Sequence, residues 1–318
     1  MAKAPKTRTE RPVAILGGNR IPFAKQDKAY AKVGNQEMFT AALDGLVSRF
    51  GLQGEQLGMV AGGAVLKHAR DFNLIRESVL GSALSPYTPA FDVQQACGTG
   101  LQAITAVADG VARGRYDVAV GGGVDTTSDA PIAVSESMRR QLLEVNRSRS
   151  TQGQVLNALK LLPNLGIEIP RNGEPRTGMS MGDHAAITAK EFGVKRADQD
   201  ELAAASHQKM AAAYDSGFFD DLITPFGGLV RDQNLRGDST AEKLAKLKPV
   251  FVKENGTVTA GNASGINDAA AAVVLMDAKV AQARGAKPLA RLVAYAHAGV
   301  DPQYMGIGPV PATQLALK

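Results

Sequence analysis

Cysteine is almost absent from this chain of 318 residues, since Cys97 is the only one. A single cysteine excludes an internal disulfide framework and is typical of a protein from a reducing compartment. Tryptophan is missing and aromatic residues make up only 5% of the sequence, whereas glycine occurs 34 times. This composition favours closely packed helices and sheets over an aromatic binding surface.

Long hydrophobic runs are missing as well. The longest apolar run, residues 269–276, is far shorter than the ~20 residues that a membrane-spanning helix needs. The first eleven residues carry four basic side chains but no apolar segment, so they predict a disordered arm rather than a secretory signal. We therefore expect a protein without transmembrane segments in the bacterial cytoplasm, with the mitochondrial matrix as the alternative location.

The net charge of +5 comes from basic residues that are scattered along the chain. No zinc-finger spacing and no interleaving of aromatic with basic residues is present, so no nucleic-acid partner and no metal site are predicted. A basic surface also suits a small polyanionic ligand.

Strand-like and helical patterns alternate along the first part of the chain, which predicts a layered α/β domain. The predicted strands are residues 12–17, 59–65, 89–94 and 117–121, and the predicted helices are 36–50, 73–83 and 98–114.

A polar stretch then interrupts this alternation, and within it two helices, near 183–192 and 197–215, end at glycines. Strand-like residues 257–260 and 271–276 resume the first pattern. We therefore predict an inserted domain of residues 124–248 within a sheet domain of residues 1–123 and 249–285. Residues 286–318 are predicted to begin a further domain.

Cys97 stands where the predicted buried strand 89–94 changes into a helix that Gly114 ends. Unpaired backbone N–H groups and the positive end of the helix dipole favour a thiolate there, and the thiolate is the reactive form of cysteine. The position indicates a catalytic nucleophile, with a buried structural cysteine as the alternative.

Two motifs carry a resemblance to the thiolase family. Residues 94–103, Gln-Gln-Ala-Cys-Gly-Thr-Gly-Leu-Gln-Ala, resemble its acyl-carrying cysteine segment, and residues 256–268, Gly-Thr-Val-Thr-Ala-Gly-Asn-Ala-Ser-Gly-Ile-Asn-Asp, resemble its glycine-rich signature. Two long motifs about 160 residues apart and in the right order are far more specific than one short glycine motif.

The resemblance implies an α/β fold of the layered α-β-α-β-α thiolase type. The chain would hold the N-terminal half, an inserted loop domain that covers the coenzyme, and only the start of the C-terminal half. A second sheet would begin with a strand at residues 291–297 that has unpaired edges, and about a hundred residues would be expected beyond Lys318.

The resemblance also implies an acyl-CoA C-acyltransferase. Such an enzyme cleaves a 3-ketoacyl-CoA with coenzyme A, or runs the reverse Claisen condensation, through a thioester on Cys97. Coenzyme A and acyl-CoA would be substrates, and no tightly bound cofactor is implied. The positions that match the family's coenzyme and substrate site are Met181, Arg236, Leu247, Phe251, Ala260 and Ser264.

The family's catalytic histidine and second cysteine have no matching motif in this chain, which implies that residues 1–318 alone lack turnover. The available histidines are more typical of surface or packing positions: His68, His184, His207 and His297.

Two alternatives remain at this point: a ketosynthase-like condensing enzyme, and a non-catalytic thiolase-like binding or assembly protein. The expected assembly is a homodimer or tetramer, with a subunit of a β-oxidation complex as a further partner. Residues 131–176 are basic and rich in leucine, and they resemble an insertion in thiolase subunits of fatty-acid oxidation complexes. They predict peripheral contact with a membrane or a partner, with a solvated loop as the alternative.

Overall fold

A computed structural model describes residues 10–171 and 173–318. The arm predicted over the first eleven residues lies outside this part, apart from its last two residues. The strands are β1 (Val13–Arg20), β2 (Ala24–Lys25), β3 (Met59–Gly62), β4 (Ala90–Asp92), β5 (Val118–Asp125), β6 (Ala133–Val134), β7 (Ile167–Glu168), β8 (Asn267–Asp277) and β9 (Ala290–Leu292). The α-helices are α1 (Asn35–Phe50), α2 (Leu74–Leu80), α3 (Thr99–Ala112), α4 (Glu136–Arg147), α5 (Thr151–Leu159), α6 (Met181–Glu191), α7 (Arg196–Asp215), α8 (Ala241–Ala245), α9 (Ala278–Ala283) and α10 (Pro309–Ala316).

A mixed sheet of seven strands organises the described residues, in the order β4-β3-β5-β8-β1-β9, with β2 paired to β8. Strand β3 runs parallel to β4 and β5, whereas β8 runs antiparallel to β5 and β1. The carboxyl ends of β1, β3, β4 and β5 therefore meet the amino end of β8 at one edge of the sheet. That edge is where ligand sites of parallel sheets commonly lie.

Helices cover both faces of the sheet. Successive strand residues point to opposite faces, so Val60 and Val120 pack in one apolar cluster with α1 and α2. Their neighbours Ala61 and Ala119 pack in a second cluster with α3. The predicted α/β layering is confirmed for this sheet.

Gly121 allows α3 to lie directly on β5. A β-carbon at this position would stand 2.6 Å from Cα of Ile104 in α3, closer than real contacts allow. Any side chain at residue 121 would push the helix that follows Cys97 away from the sheet.

The two helices predicted in the inserted segment are confirmed as α6 and α7, and α4, α5 and α8 are additional. The strand predicted over residues 257–260 is wrong. The N–H of Thr259 donates to the side-chain oxygen of Asn262 over 2.7 Å, and a side-chain acceptor of this kind competes with strand pairing. The buried strand predicted at 89–94 is the short edge strand β4, whose Phe91 is exposed.

The strand predicted at residues 291–297 differs in extent and in pairing. Only Ala290–Leu292 is extended, and it pairs antiparallel with β1 in the same sheet. The edge of β1 offers unpaired backbone groups that β9 satisfies. The predicted strand is therefore shorter than expected and is paired along one edge, while its other edge ends the sheet. Further on, a 3₁₀ turn, Pro302–Ile307, packs against α6.

Candidate active site

Cys97 is exposed and precedes the first residue of α3, Thr99, by two positions. It opens into a cavity of about 240 Å³ at the edge where the strand ends meet. The residues that line this cavity are Phe23, Gly63, Val65, Ala96, Cys97, Thr99, Gly100, Gly123, Val124, Asp125, Asn267, Ala269, Ala270 and Ala271.

A tight turn between β4 and α3 presents the cysteine. Ala96 adopts a left-handed conformation with φ of 44°, which is rare for a residue with a β-carbon. The Thr99 hydroxyl accepts from the N–H of Gln95 at 2.8 Å and donates to the Ala96 carbonyl at 2.7 Å. The N–H of Gly98 closes the turn on the Gln95 carbonyl at 2.9 Å. Cys97 is thus held on a rigid, strained turn rather than on a free loop.

The half-buried carboxylate of Asp125 anchors one wall of the cavity. Its two oxygens accept from the N–H groups of Val65 and Leu66 at 2.8 and 3.0 Å. Burial is the largest influence and raises the pKa of Asp125, although the two N–H donors oppose the rise and the charge of Asp268 adds to it. The loop that follows β3 is therefore fixed against the end of β5.

Sequence reasoning found Cys97 but missed Val65, Asp125 and Asn267, which share its cavity. Each stands at or just after a strand end on the same edge of the sheet. That signal becomes readable only when the strand order is known.

Two of the predicted coenzyme-site residues lie at the start of α6. Met181 is the first residue of this helix, and the ring of Phe251 lies against its neighbour Gly182. In a second contact, the Leu247 side chain lies against Gly261, which follows the predicted Ala260. The apolar members of the predicted set therefore gather around α6 and the glycine-rich loop.

A polar network fixes that loop on α7. Asn262 donates to Asp200 at 2.9 Å, and Arg196 pairs with the other oxygen of Asp200 at 2.7 Å. The same guanidinium donates to the carbonyls of Leu244 and Leu247 at 2.7 and 3.0 Å. The Arg196–Asp200 pair on α7 thus holds both the backbone at Leu247 and the glycine-rich loop.

Arg236 and Ser264 lie apart from these apolar contacts. Both are exposed; the N–H of Arg236 donates to His207 at 3.4 Å, and the Ser264 hydroxyl reaches the Gly265 carbonyl at 3.5 Å. None of the residues predicted to bind coenzyme A lines the cavity at Cys97.

None of the four histidines lines the cavity. His184 is fully buried, with Nδ1 donating to the carbonyl of Gln303 at 3.1 Å and Nε2 at 3.0 Å from the Thr177 hydroxyl. His68 lies 2.9 Å from the carbonyl of Asp129. Both rings serve packing and chain connections.

Comparison with known proteins then identifies the family. The family model for the thiolase N-terminal domain matches residues 13–279. The chain belongs to the thiolase family.

Relatives of this thiolase-family chain include the beta-ketothiolase BktB of Cupriavidus necator. The two are 39% identical over 317 residues, which cover 97% of this chain and 76% of the relative. A 3-ketoacyl-CoA thiolase of Yersinia enterocolitica is 39% identical over 320 residues, which cover 98% of this chain and 73% of the relative.

Solved thiolase structures share the fold. The acetyl-CoA acetyltransferase of Bacillus anthracis superposes with a TM-score of 0.82 at 32% identity, covering 98% of this chain and 77% of that one. Human mitochondrial 3-ketoacyl-CoA thiolase in complex with CoA superposes with a TM-score of 0.81 at 29% identity, covering 96% of this chain and 75% of that one. The predicted family and fold are confirmed, while the domain boundaries and the roles of the site residues remain predictions.

Within residues 10–171 and 173–318, no helix is long and apolar enough to cross a bilayer. The same residues contain no group of three His, Cys, Asp or Glu side chains that could hold a metal ion.

Proposed function

We propose that this thiolase-family chain is a coenzyme A-dependent acyltransferase in which Cys97 carries the acyl group. The observation that supports this most directly is the placement of Cys97. The only thiol of the chain is exposed on a strained strand-to-helix turn and opens into a cavity. A nucleophile must be accessible and held in a fixed geometry, and this turn meets both requirements.

In the proposed reaction, the Cys97 thiolate attacks the C3 carbonyl of a 3-ketoacyl-CoA. The bond between C2 and C3 breaks, its electron pair stays on C2, and C2 takes up a proton to give acetyl-CoA. The shortened acyl group remains on Sγ as a thioester until a second coenzyme A thiol accepts it. The backbone N–H of Cys97 itself is the proposed donor to the oxyanion.

The proposed coenzyme site extends from α6 to the glycine-rich loop. Met181, Phe251, Leu247 and Ala260 offer apolar contacts to the pantetheine arm, and small residues around Gly261 leave room for it. Ser264 is proposed to bond the arm, and the exposed Arg236 to pair with the nucleotide's phosphates.

Isotope-labelled acetyl-CoA followed by peptide mass spectrometry tests this proposal. In thioester exchange, the Cys97 thiolate takes the acetyl group and coenzyme A leaves, so the acetyl mass should appear on the Cys97 peptide and vanish in Cys97→Ala. Label that persists in Cys97→Ala, or an unlabelled wild type that still binds coenzyme A, contradicts the assignment. The second outcome would favour a non-catalytic binding protein.

We also propose that residues 131–176 dock on an anionic membrane surface. Helices α4 and α5 bury no residue, and Val155, Leu156 and Leu159 are exposed on one side of α5. Residues 132–171 hold six basic and three acidic side chains, so this apolar surface lies in a region of net positive charge that complements anionic lipid. A homodimer or tetramer, a β-oxidation partner subunit and a cytoplasmic location also stay predictions.

A further inference from the structure

Phe23 is the only aromatic residue among those that line the Cys97 cavity. It follows the carboxyl end of β1, whereas Cys97 follows β4, so the two reach the cavity from different strands. Most other lining residues are glycine or alanine, which leave the cavity open. Phe23 is the largest side chain available to limit what the cavity admits.

Residues of the inserted segment hold the Phe23 backbone on both sides. Its N–H donates to the carboxylate of Asp232 at 2.7 Å, and its carbonyl accepts from the N–H of Gln233 at 2.9 Å. The side chain of Gln233 also accepts from the N–H of Lys25 at 3.1 Å. The segment around residue 23 therefore cannot shift without breaking bonds to residues 232 and 233.

Arg20 completes this support. Its guanidinium binds both oxygens of Asp232, at 2.7 and 3.0 Å, and lies 5.1 Å from the centroid of the Phe23 ring. The Asp232 side chain is only 3% exposed, so the pair is shielded from solvent. Burial is the largest influence and acts to lower the pKa of Arg20, but the hydrogen bonds and charges of Asp232 and Tyr214 together outweigh it and raise that pKa. One carboxylate thus fixes the backbone of Phe23 and the cation beside its ring.

We propose that Phe23 is a specificity-determining residue that sets the size of the group admitted to Cys97, and that Asp232 is its positioning residue. The relevance to acyl groups rests on the proposed acyl transfer at Cys97. In this arrangement the inserted segment, through Asp232, defines a wall of a cavity that the sheet domain otherwise builds. Longer or branched acyl groups are excluded for as long as the Arg20–Asp232 pair is intact.

Alkylation of Cys97 measures the cavity without requiring acyl transfer, because the chain has no other thiol. The probes are N-methylmaleimide and N-cyclohexylmaleimide, which share one reactive group and differ in size. The readout is the ratio of their second-order rate constants at Cys97, bulky over small. Phe23→Ala should raise this ratio on the order of tenfold, as expected when a pocket wall is removed. Phe23→Leu serves as a second variant that keeps an apolar side chain and should shift the ratio in the same direction.

Asp232→Asn tests the positioning role. It should raise the same ratio while the Phe23 ring is still present; a merely structural role would lower the melting temperature and leave the ratio unchanged. Asp221→Asn is the matched control, because Asp221 pairs with Arg49 at 2.6 Å and lines no part of the cavity. Phe192→Ala, an exposed aromatic outside the cavity, controls for loss of a ring.

The two proposals fail in distinguishable ways. A folded Phe23→Leu or Phe23→Ala variant with the wild-type maleimide ratio overturns the inference about the wall. The rate of Cys97 acylation by acetyl-CoA relative to hexanoyl-CoA is then measured in the same variants. A shifted maleimide ratio without any acylation of Cys97 supports the wall and contradicts the acyltransferase. Acylation of Cys97 with no change in the maleimide ratio or in the acyl-CoA ratio supports the acyltransferase and contradicts the wall.

Discussion

The ring of Phe251 occupies the space that a β-carbon on residue 182 would fill. Such an atom would stand 1.9 Å from Cζ of Phe251, so the contact requires glycine at this position. Because Gly182 lies in the first turn of α6, this contact fixes Phe251 against the turn that Met181 begins.

Gly182→Ala should displace Phe251 and weaken coenzyme A binding. Alanine is a better helix former than glycine by about 1 kcal/mol, but the clash with the ring outweighs that gain. We expect the dissociation constant for coenzyme A to rise roughly tenfold, as loss of one apolar contact predicts. Isothermal titration calorimetry measures it.

A double-mutant cycle isolates the cause. In a Phe251→Ala background, Gly182→Ala should have little further effect on binding or melting temperature, because the clash is gone. Gly299→Ala is the matched control, since no atom lies within 4 Å of a β-carbon placed there. Additive effects of Gly182→Ala and Phe251→Ala would show that the two positions are independent.

Ala96→Gly should relax the turn that presents Cys97. Glycine accepts a φ of 44° without the steric cost that alanine carries, so the free energy of unfolding should rise by up to about 1 kcal/mol. The rate of Cys97 acylation should nevertheless fall, because the thiol is less firmly oriented. Urea denaturation and a labelling time course measure the two effects. In the control, Ala112→Gly in the last turn of α3, stability should fall instead; a loss of stability in Ala96→Gly as well would contradict the strain argument.

Ser180→Ala should destabilise α6 in a pH-dependent way. The Ser180 hydroxyl accepts from the N–H of Asp183 at 3.2 Å, and Asp183 accepts from the Ser180 hydroxyl and N–H at 2.6 and 2.9 Å. These two bonds, the hydroxyl one first, lower the pKa of Asp183. Loss of the cap should cost about 1 kcal/mol at neutral pH.

The carboxylate's share of this stability is present above the ordinary pKa of aspartate and is lost as pH falls through the lowered value. The difference in unfolding free energy between wild type and Ser180→Ala should therefore shrink in acid. Ser150→Ala removes the cap of α5, where the hydroxyl accepts from Gly153 and no carboxylate is involved. Its effect should not vary with pH, and an equal pH response in both variants would remove Asp183 from the explanation.

The proposed membrane surface predicts selective vesicle binding. The chain should co-sediment with phosphatidylglycerol-containing vesicles more than with phosphatidylcholine vesicles, and less so at high salt. Leu156→Ser with Leu159→Ser should abolish this binding, whereas Leu202→Ser, an exposed leucine on α7, should not. Equal sedimentation with both lipids, or binding that survives the double substitution, would contradict the membrane proposal. The exposed leucines would then contact a protein partner or solvent.

Local patterns in the sequence are sufficient to predict most of the helices and strands that build the seven-stranded sheet and its covering layers. Helix α1 was predicted at 36–50 and spans Asn35–Phe50, because its apolar residues keep helical spacing up to Gly51. The Cys97 turn was also predictable, since strand and helix patterns meet there. The strand predicted at residues 257–260 is wrong because the run Thr-Val-Thr-Ala has strand propensity, yet the N–H of Thr259 donates to the side chain of Asn262 instead of to a neighbouring strand.

The walls of the cavity could not be predicted in this way. Asp232 contacts Phe23 across 209 residues of sequence, and Asp125 contacts Val65 across 60. No periodicity links such pairs, because they depend on strand order and on where the inserted segment folds back. Sequence reasoning therefore located Cys97, the proposed nucleophile, and missed the residues that shape its surroundings.

The solitary thiol of residues 1–318 also determines how a polypeptide of these residues responds to oxidants. A cysteine oxidised to sulfenic acid is normally rescued when a nearby second cysteine condenses with it to a disulfide. Within these 318 residues no second cysteine exists, and Cys97 is exposed. In a polypeptide of these residues, peroxide damage at Cys97 is repaired by an external thiol such as glutathione, or it proceeds to the irreversible sulfinic state.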